Sequence, residues 1–589
     1  MGIIKGLLGT TLMSTLSFLD QTVTNGASLL GTLGAPKLPK YLSSESNGDV
    51  PWGQCTTRNT NPYGNSPNTG VVRKYQFTVA RETLAPDGFE RPMIVVNGQY
   101  PGPTIEANWG DIIEVTVNNE IHGPEEGTAI HLHGFLQHET PWMDGAPGFS
   151  QCPIAPGKSF TYRTKAELFG TSWWHAHFSA QYADGVFGAI VVYGPWEKEH
   201  DIDLGPVIIN EFHHTNYVSI VQNITAPHPR PPPPSPISDS NLINGKMQFD
   251  CARASRHRKC STNAGVSQFR FQSGKKHRLR LINAGADSSQ QFSIDGHTMT
   301  VIQNDYVAVQ PYDTKIVTLG VGQRTDVIVT ANGKPTSSYW MRSNITCFEA
   351  HQPQALGMIY YESVDTDLAP TSSPWPNSGP GCANDALEKT VPAYPMAVPQ
   401  PEKTIALDMT TTPDARGIWR WYVNNSTFYG NHSSPVLNLA ASGAAASAYQ
   451  PTWNVYDMET ARSYRFISYN RTPGPHPLHL HGHNMYVLAI GVGSAWDGKI
   501  VRPENPVRRD VVMVPANGYV VWQADADNPG AWAFHCHVLW HAATGFGIDI
   551  VEGKDALREM KMPPEMDGLC RDWKAYVGRA GEEQIDSGL

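Results

Sequence analysis

From about residue 70 onward, apolar and polar positions alternate with a period of two, in short runs punctuated by Gly, Pro and Asn. Asp111-Ile-Ile-Glu-Val-Thr-Val117, Gly188-Ala-Ile-Val-Val-Tyr193, His277-Arg-Leu-Arg-Leu-Ile282 and Thr325-Asp-Val-Ile-Val-Thr330 show it best. Alternation of this kind sends successive side chains to opposite faces of a strand, so each run predicts a strand with one face in a core. No long stretch with helical spacing competes. The pattern predicts an all-β fold of sandwiches or barrels.

The same pattern repeats. Trp174-His-Ala-His-Phe178 runs on into Gly185-Val-Phe-Gly-Ala-Ile-Val-Val192, and Phe534-His-Cys-His-Val538 runs on into Gly545-Phe-Gly-Ile-Asp-Ile-Val551. His-Leu-His-Gly occurs at 131–134 and again at 479–482. A chain of 589 residues is too long for one core. The repeat predicts three domains over 70–198, 199–365 and 401–555, with the first and last carrying paired histidines and the middle one carrying none. Residues 366–400, rich in Pro, Ser and Gly, read as the linker, 25–69 as an N-terminal leader and 556–589 as a tail. Pro227 to Pro236 reads as an extended, stiff surface loop.

Charge and cysteine content narrow the setting. Charged residues are 17% of the chain and the formal net charge is −10, which disfavours nucleic acid or an anionic membrane as partner. A basic start at Met1–Lys5 followed by the weakly apolar Gly6–Leu19 reads as a secretory signal peptide over 1–24, and no later run is apolar enough to span a bilayer. Asn-x-Ser/Thr windows at Asn223, Asn344, Asn424, Asn425, Asn431 and Asn470 agree with secretion. There are eight cysteines. If Cys536 serves a metal, seven remain: Cys251 with Cys260, Cys347 with Cys382 and Cys152 with Cys570 could form disulfides, leaving Cys55 over.

The candidate chemistry lies in four histidine blocks: His131-Leu-His133, His175-Ala-His177, His479-Leu-His481 and His535-Cys-His537. On a strand, His535 and His537 share one face and Cys536 takes the other. With His476 and His541 the blocks supply ten imidazoles and one thiolate. A thiolate with two imidazoles, here Cys536, His476 and His541, is the donor set of a blue copper electron-transfer site. The weak axial position falls at Phe546, which cannot coordinate, so a high reduction potential is expected. Structural zinc prefers cysteine-rich sets and fits poorly. The other eight imidazoles suit three coppers, enough with the first to hold the four electrons that reduce dioxygen to water. Electrons would enter at His541 or His476 and pass from Cys536 to a covalently adjacent histidine.

In order and spacing the four blocks resemble the copper signatures of multicopper oxidases over roughly residues 70–560. Gly170-Thr-Ser-Trp-Trp-His-Ala-His-Phe-Ser-Ala-Gln-Tyr-Ala-Asp-Gly185 and the closing Asp586-Ser-Gly-Leu589 resemble ascomycete laccases in particular. The resemblance implies three cupredoxin-like domains in tandem and four copper ions. It assigns His131 and His479 to the type 2 copper. His133, His175, His177, His481, His535 and His537 fall to the type 3 pair, and His476, Cys536 and His541 to the type 1 site. It also implies that Asp586–Leu589 plugs the channel to the three-copper cluster, and that Asp144, in Trp142-Met-Asp-Gly145, helps deliver protons. There are departures: Leu539 stands where some relatives have an acid, Phe546 replaces an axial Leu, and the first block lacks the frequent His-Trp-His.

A high-potential one-electron acceptor suits phenols, and the resemblance places Asp250 near His541 as an acceptor of the phenolic proton. The expected function is laccase-type oxidation of a phenol with O2 as acceptor, with a dedicated phenol-coupling or pigment-pathway oxidase as its specialised form. The alternatives are a metal-ion or ascorbate oxidase and a copper-storage protein.

Overall fold

The computed structural model describes residues 28–43, 50–64, 66–228, 235–254, 258–376, 381–493, 495–581 and 584–589. The expected signal peptide over 1–24 and the consecutive Pro231–Pro234 lie outside the described residues.

Among the described residues, six sheets pair into three β-sandwiches. In the first, a four-stranded sheet (Arg91–Val96, Val72–Leu84, Ile112–Glu120, Ser159–Lys165, in spatial order) faces another four-stranded sheet (Ile105–Asn108, Phe187–Tyr193, Gly170–Ala176, Ile130–Leu132). The second and third sandwiches each pair a six-stranded with a five-stranded sheet. The four runs singled out by alternation all form strands: Ile112–Glu120, Phe187–Tyr193, Lys276–Asn283 and Arg324–Thr330. Their alternate apolar side chains fill separate cores. Leu279, Leu281, Val327 and Val329 lie in the second core, and Leu478, Phe534, Cys536 and Ile548 in the third. Among the described residues no helix is long and apolar enough to cross a membrane.

Register brings the histidine blocks together. In the first sandwich His131 lies directly opposite His175, and in the third His479 lies opposite His535 while Leu478 lies opposite Cys536. Directly opposed side chains sit about 5 Å apart at Cβ, so each pair converges on one side of its sheet. The two sheets present these faces to each other.

The tail is not strand. Pro564–Ala580 is a helix of 17 residues whose buried side chains, Met566, Leu569, Trp573 and Tyr576, form one stripe against the first core. Gly568 and Gly578 and the flanking Pro563 and Pro564 dilute that stripe in the sequence, which hid its helical period. Cys152–Cys570 fastens the helix to the first sandwich, and Cys251–Cys260 and Cys347–Cys382 close local loops, leaving Cys55 and Cys536 as thiols. Asn470 is buried, with its amide nitrogen donating to the carbonyls of Gly474 and Pro515 at 2.7 and 2.9 Å, so its window cannot carry a glycan.

Leu569→Ala empties part of the seam between tail and first sandwich. It should lower the unfolding free energy by about 2–5 kcal/mol and expose the tail to limited proteolysis. A shift in the denaturation midpoint worth less than about 0.5 kcal/mol would show that the seam adds nothing.

Candidate metal centre

The ten imidazoles and one thiol are all buried and fall into two neighbouring sites. Donor atoms come within 4.8 Å of one another in the sets His131–His133–His479, His133–His175–His537, His177–His481–His535 and His476–Cys536–His541. A further set joins Asp144 to His131 and His481.

Hydrogen bonds fix which ring nitrogen faces inward. A carbonyl oxygen can only accept, so the Nδ1 atoms of His131 (2.7 Å from Asp144 O), His479 (2.9 Å from Asp510 O), His175 (3.0 Å from Ala176 O) and His535 (2.9 Å from Cys536 O) carry the proton. Asp144 Oδ2 accepts from His481 Nδ1 at 2.9 Å and Asp510 Oδ1 from His133 Nε2 at 3.2 Å. The opposite nitrogens then bear bare lone pairs. Those of His131, His175 and His479 have no hydrogen-bond partner at all. His481 Nε2 faces His535 Nε2 at 3.1 Å, and His133 Nδ1 faces His537 Nε2 at 3.3 Å. In the first of these contacts both protons are committed to Nδ1, so no hydrogen stands between the two nitrogens. Protonation does not relieve this: burial lowers the pKa of His133, His175, His177, His479, His481 and His537, and that of His535 to about 4. Neutral, inward-facing lone pairs without partners are the state in which imidazole binds a metal, and these residues fit copper.

The thiol site is built the same way. Cys536 Sγ lies 3.7 Å from Nδ1 of His476 and 3.7 Å from Nδ1 of His541. Thr472 Oγ1 gives its proton to Asn470 Oδ1 at 2.7 Å and accepts from His476 Nε2 at 2.9 Å, which leaves His476 Nδ1 bare toward the sulfur. Burial pushes the Cys536 thiol up, so a cation is required to hold the thiolate. Phe546 packs beside these residues, its ring centroid 5.1 Å from that of His476 and stacked on Trp421 at 4.7 Å. Leu539 is buried beside the eight-histidine site with no acidic side chain in its place.

Asp144 lies against the histidines, its Oδ2 2.9 Å from His481 Nδ1. It follows the short turn Pro141–Met143, and Gly145 (φ +84°) lets the chain pass so close to Ile130 that a Cβ there would sit 1.9 Å from the Ile130 carbonyl. Asp250, expected near His541, caps the turn Cys251–Arg253, accepting from Ala252 N at 3.1 Å, and is not among the described residues that line the cavity beside His541. The cavity beside His541, about 260 Å³, is walled instead by Phe348, Trp419, Trp421, Pro473 and Trp540. None of the described residues lining it is a carboxylate.

The second sandwich braces the site. Arg324 reaches from it to clamp Asp510 of the third sandwich with two bonds of 2.5 and 2.6 Å, and Asp510 in turn holds His133 of the first. Charge-assisted bidentate bonds of this kind are strong and directional. Gly322, at φ +84°, approaches the cluster so closely that a Cβ would meet His537 Cδ2 at 2.9 Å. The one sequence signal was Arg508-Arg-Asp510 set directly against the apolar Val511-Val-Met-Val514, a charged run with no room for solvent.

Leu589 lines the pocket of His175, His177 and His535 and belongs to a small apolar cluster with Phe149 and Ala533, while Ser587 N donates to Ala543 O at 2.9 Å.

Known proteins share this arrangement. Residues 78–197, 203–363 and 401–556 each match a multicopper oxidase family domain. "Oxidoreductase OpS5" of Beauveria bassiana is 36% identical over 91% of each chain. "Dihydrogeodin oxidase" of Aspergillus terreus is 32% identical over 100% of this chain and 99% of its own. The crystal structure of the laccase from Botrytis aclada superposes with a TM-score of 0.83 at 32% identity, over 91% of this chain and 98% of that one. With three family domains in tandem and these relatives along nearly its whole length, the chain belongs to the multicopper oxidases, copper-dependent oxidoreductases that use dioxygen as acceptor.

Proposed function

We propose that the protein is a laccase-type phenol oxidase. His476, Cys536 and His541 would hold the type 1 copper and His131 and His479 the type 2 copper. His133, His175 and His537 would hold one copper of the type 3 pair, and His177, His481 and His535 the other. Bound copper supplies one-electron oxidation at the thiolate and four-electron reduction of dioxygen to water at the cluster. The observation that carries the reading is the position of Cys536: its sulfur faces His541 at the foot of an aromatic cavity, while its two chain neighbours, His535 and His537, belong to the eight-histidine site. One strand thus connects an outer pocket to an inner one by covalent bonds.

The protein's own residues supply shape and proton placement. Trp419, Trp421, Trp540 and Phe348 offer flat apolar faces to an aromatic ring and exclude water around it. None of the described wall residues is a carboxylate that could take up the phenolic proton. Asp144 orients His131 and His481 together, since its carbonyl and carboxylate serve both rings. A metal-ion oxidase would need acidic side chains beside His541 to bind a hard cation, and this cavity offers none among its described residues. The relative named for oxidation of one compound, dihydrogeodin, supports a dedicated phenol-coupling or pigment-pathway role. Three disulfides favour a secreted protein.

Oxygen uptake by copper-loaded protein decides among donors. Phenols are expected to sustain it and Fe(II) to support little; turnover of Fe(II) without phenols would overturn the reading. Cys536→Ser should abolish the blue colour and phenol turnover while the cluster coppers stay bound. Full blue absorbance in that variant would refute the ligand set. Phe546→Met adds an axial thioether and should lower the reduction potential of the blue site, measured by redox titration; an unchanged or raised potential would place the axial ligand elsewhere.

A further inference from the structure

The aromatic cavity beside His541 is built by two domains. The third supplies His476, His541 and Trp421, and the second supplies Ser235, Pro236 and Phe348. A molecule that fills the space therefore touches both. A cavity of roughly 150 Å³ already holds a benzene ring. This one, at about 260 Å³, leaves room for a second ring.

Among the described residues four hydroxyl side chains line the cavity, and three of them are committed. Thr411 Oγ1 donates to Arg420 O at 3.1 Å, Thr472 Oγ1 to Asn470 Oδ1 at 2.7 Å, and Thr544 Oγ1 to Trp540 O at 2.8 Å. Ser235 is the exception. It is only 7% exposed, and its Oγ has no hydrogen-bond partner. The indole Nε1 of Trp540, another lining residue, is also buried without a partner. Leaving a buried O–H or N–H unpaired is costly, and folded proteins hold few such groups. Both open groups can donate, so what the cavity lacks is an acceptor. No Asp, Glu, Lys or Arg is among its described lining residues, so an anionic acceptor such as a carboxylate would be buried there without a countercharge. A neutral carbonyl oxygen meets the need.

We propose that Ser235 is the specificity-determining residue of this cavity, and that it selects two-ring phenols whose phenol ring is conjugated with a carbonyl group. The Ser235 hydroxyl, together with Trp540 Nε1, donates to the carbonyl oxygen while the rings lie against the aromatic walls. The inference deepens the phenol-oxidase reading above and rests on it. Conjugation with a carbonyl also makes the phenolic hydroxyl more acidic, which suits a cavity whose described walls carry no carboxylate base. The reaction is otherwise unchanged: four phenols and one O2 give four phenoxyl radicals and two H2O.

The test compares full-length, copper-loaded protein with Ser235→Ala on two matched donors, 3,4-dihydroxybenzophenone and 4-benzylcatechol, in which the same two rings are joined by a carbonyl or by a methylene. From oxygen uptake, kcat/KM for the ketone should fall about three- to tenfold in Ser235→Ala, mainly through a higher KM, while that for the methylene compound stays within about twofold. Benzophenone itself has no hydroxyl to oxidise and gives a readout apart from turnover. It should quench tryptophan fluorescence on binding, and its infrared carbonyl stretch should move to lower frequency in the wild-type complex. In Ser235→Ala the binding should weaken and the stretch should return toward its value in an apolar solvent. Equal changes for the two donors, no change for either, or bound benzophenone with an unshifted stretch in wild-type protein would overturn the proposal, as would failure of benzophenone to bind. Wild-type protein that oxidises neither donor nor any other phenol would instead overturn the oxidase reading, and the benzophenone measurements would then judge Ser235 by themselves.

Discussion

Two imidazole nitrogens that face each other at 3.1 Å with no proton between them are the constraint around which the molecule is arranged. Each ring is locked by an acceptor on its far side, and burial holds the rings neutral. Buried polar atoms without partners cost about 1–3 kcal/mol each, and directed lone pairs repel. A cation among the rings relieves both penalties. The three sandwiches therefore do more than expose ligands: they enforce a geometry that is unfavourable until metal arrives.

That enforcement is shared across the chain. Strand alternation sends Cys536 into the third core and its neighbours out of it, so one strand serves two sites of different chemistry. The first and third sandwiches meet where His131 and His133 approach His479 and where His177 approaches His481 and His535. The second closes the arrangement with Arg324 on Asp510 and with Gly322 against His537. Removing one partner of a buried ion pair leaves an uncompensated charge, typically at about 3–5 kcal/mol. The Arg324–Asp510 clamp thus ties the fold of three domains to the position of His133.

Much of this was legible in the sequence because metal ligands on strands occur two apart. The His-x-His blocks state both their element and their face, and the strands around Val115, Leu281 and Val327 announce themselves by alternation. The parts that were not legible depend on contacts between distant segments. Nothing in the sequence around Asp250 distinguishes a turn-capping aspartate from a pocket residue, and the walls beside His541 come from residues as far apart as Phe348, Trp421 and Trp540. Arg324 and Gly322 look ordinary along the chain; only packing reveals what each one faces. The helix Pro564–Ala580 was masked by its own glycines and prolines.

Metal stoichiometry of purified, active protein, counted per chain together with electron paramagnetic resonance, asks most directly whether these sites hold what their geometry demands. Four coppers per chain are expected, two visible to resonance as distinct centres and two silent as a coupled pair. One copper per chain, or zinc or iron in the eight-histidine site of the active protein, would contradict the ligand assignment and the oxidase reading built on it.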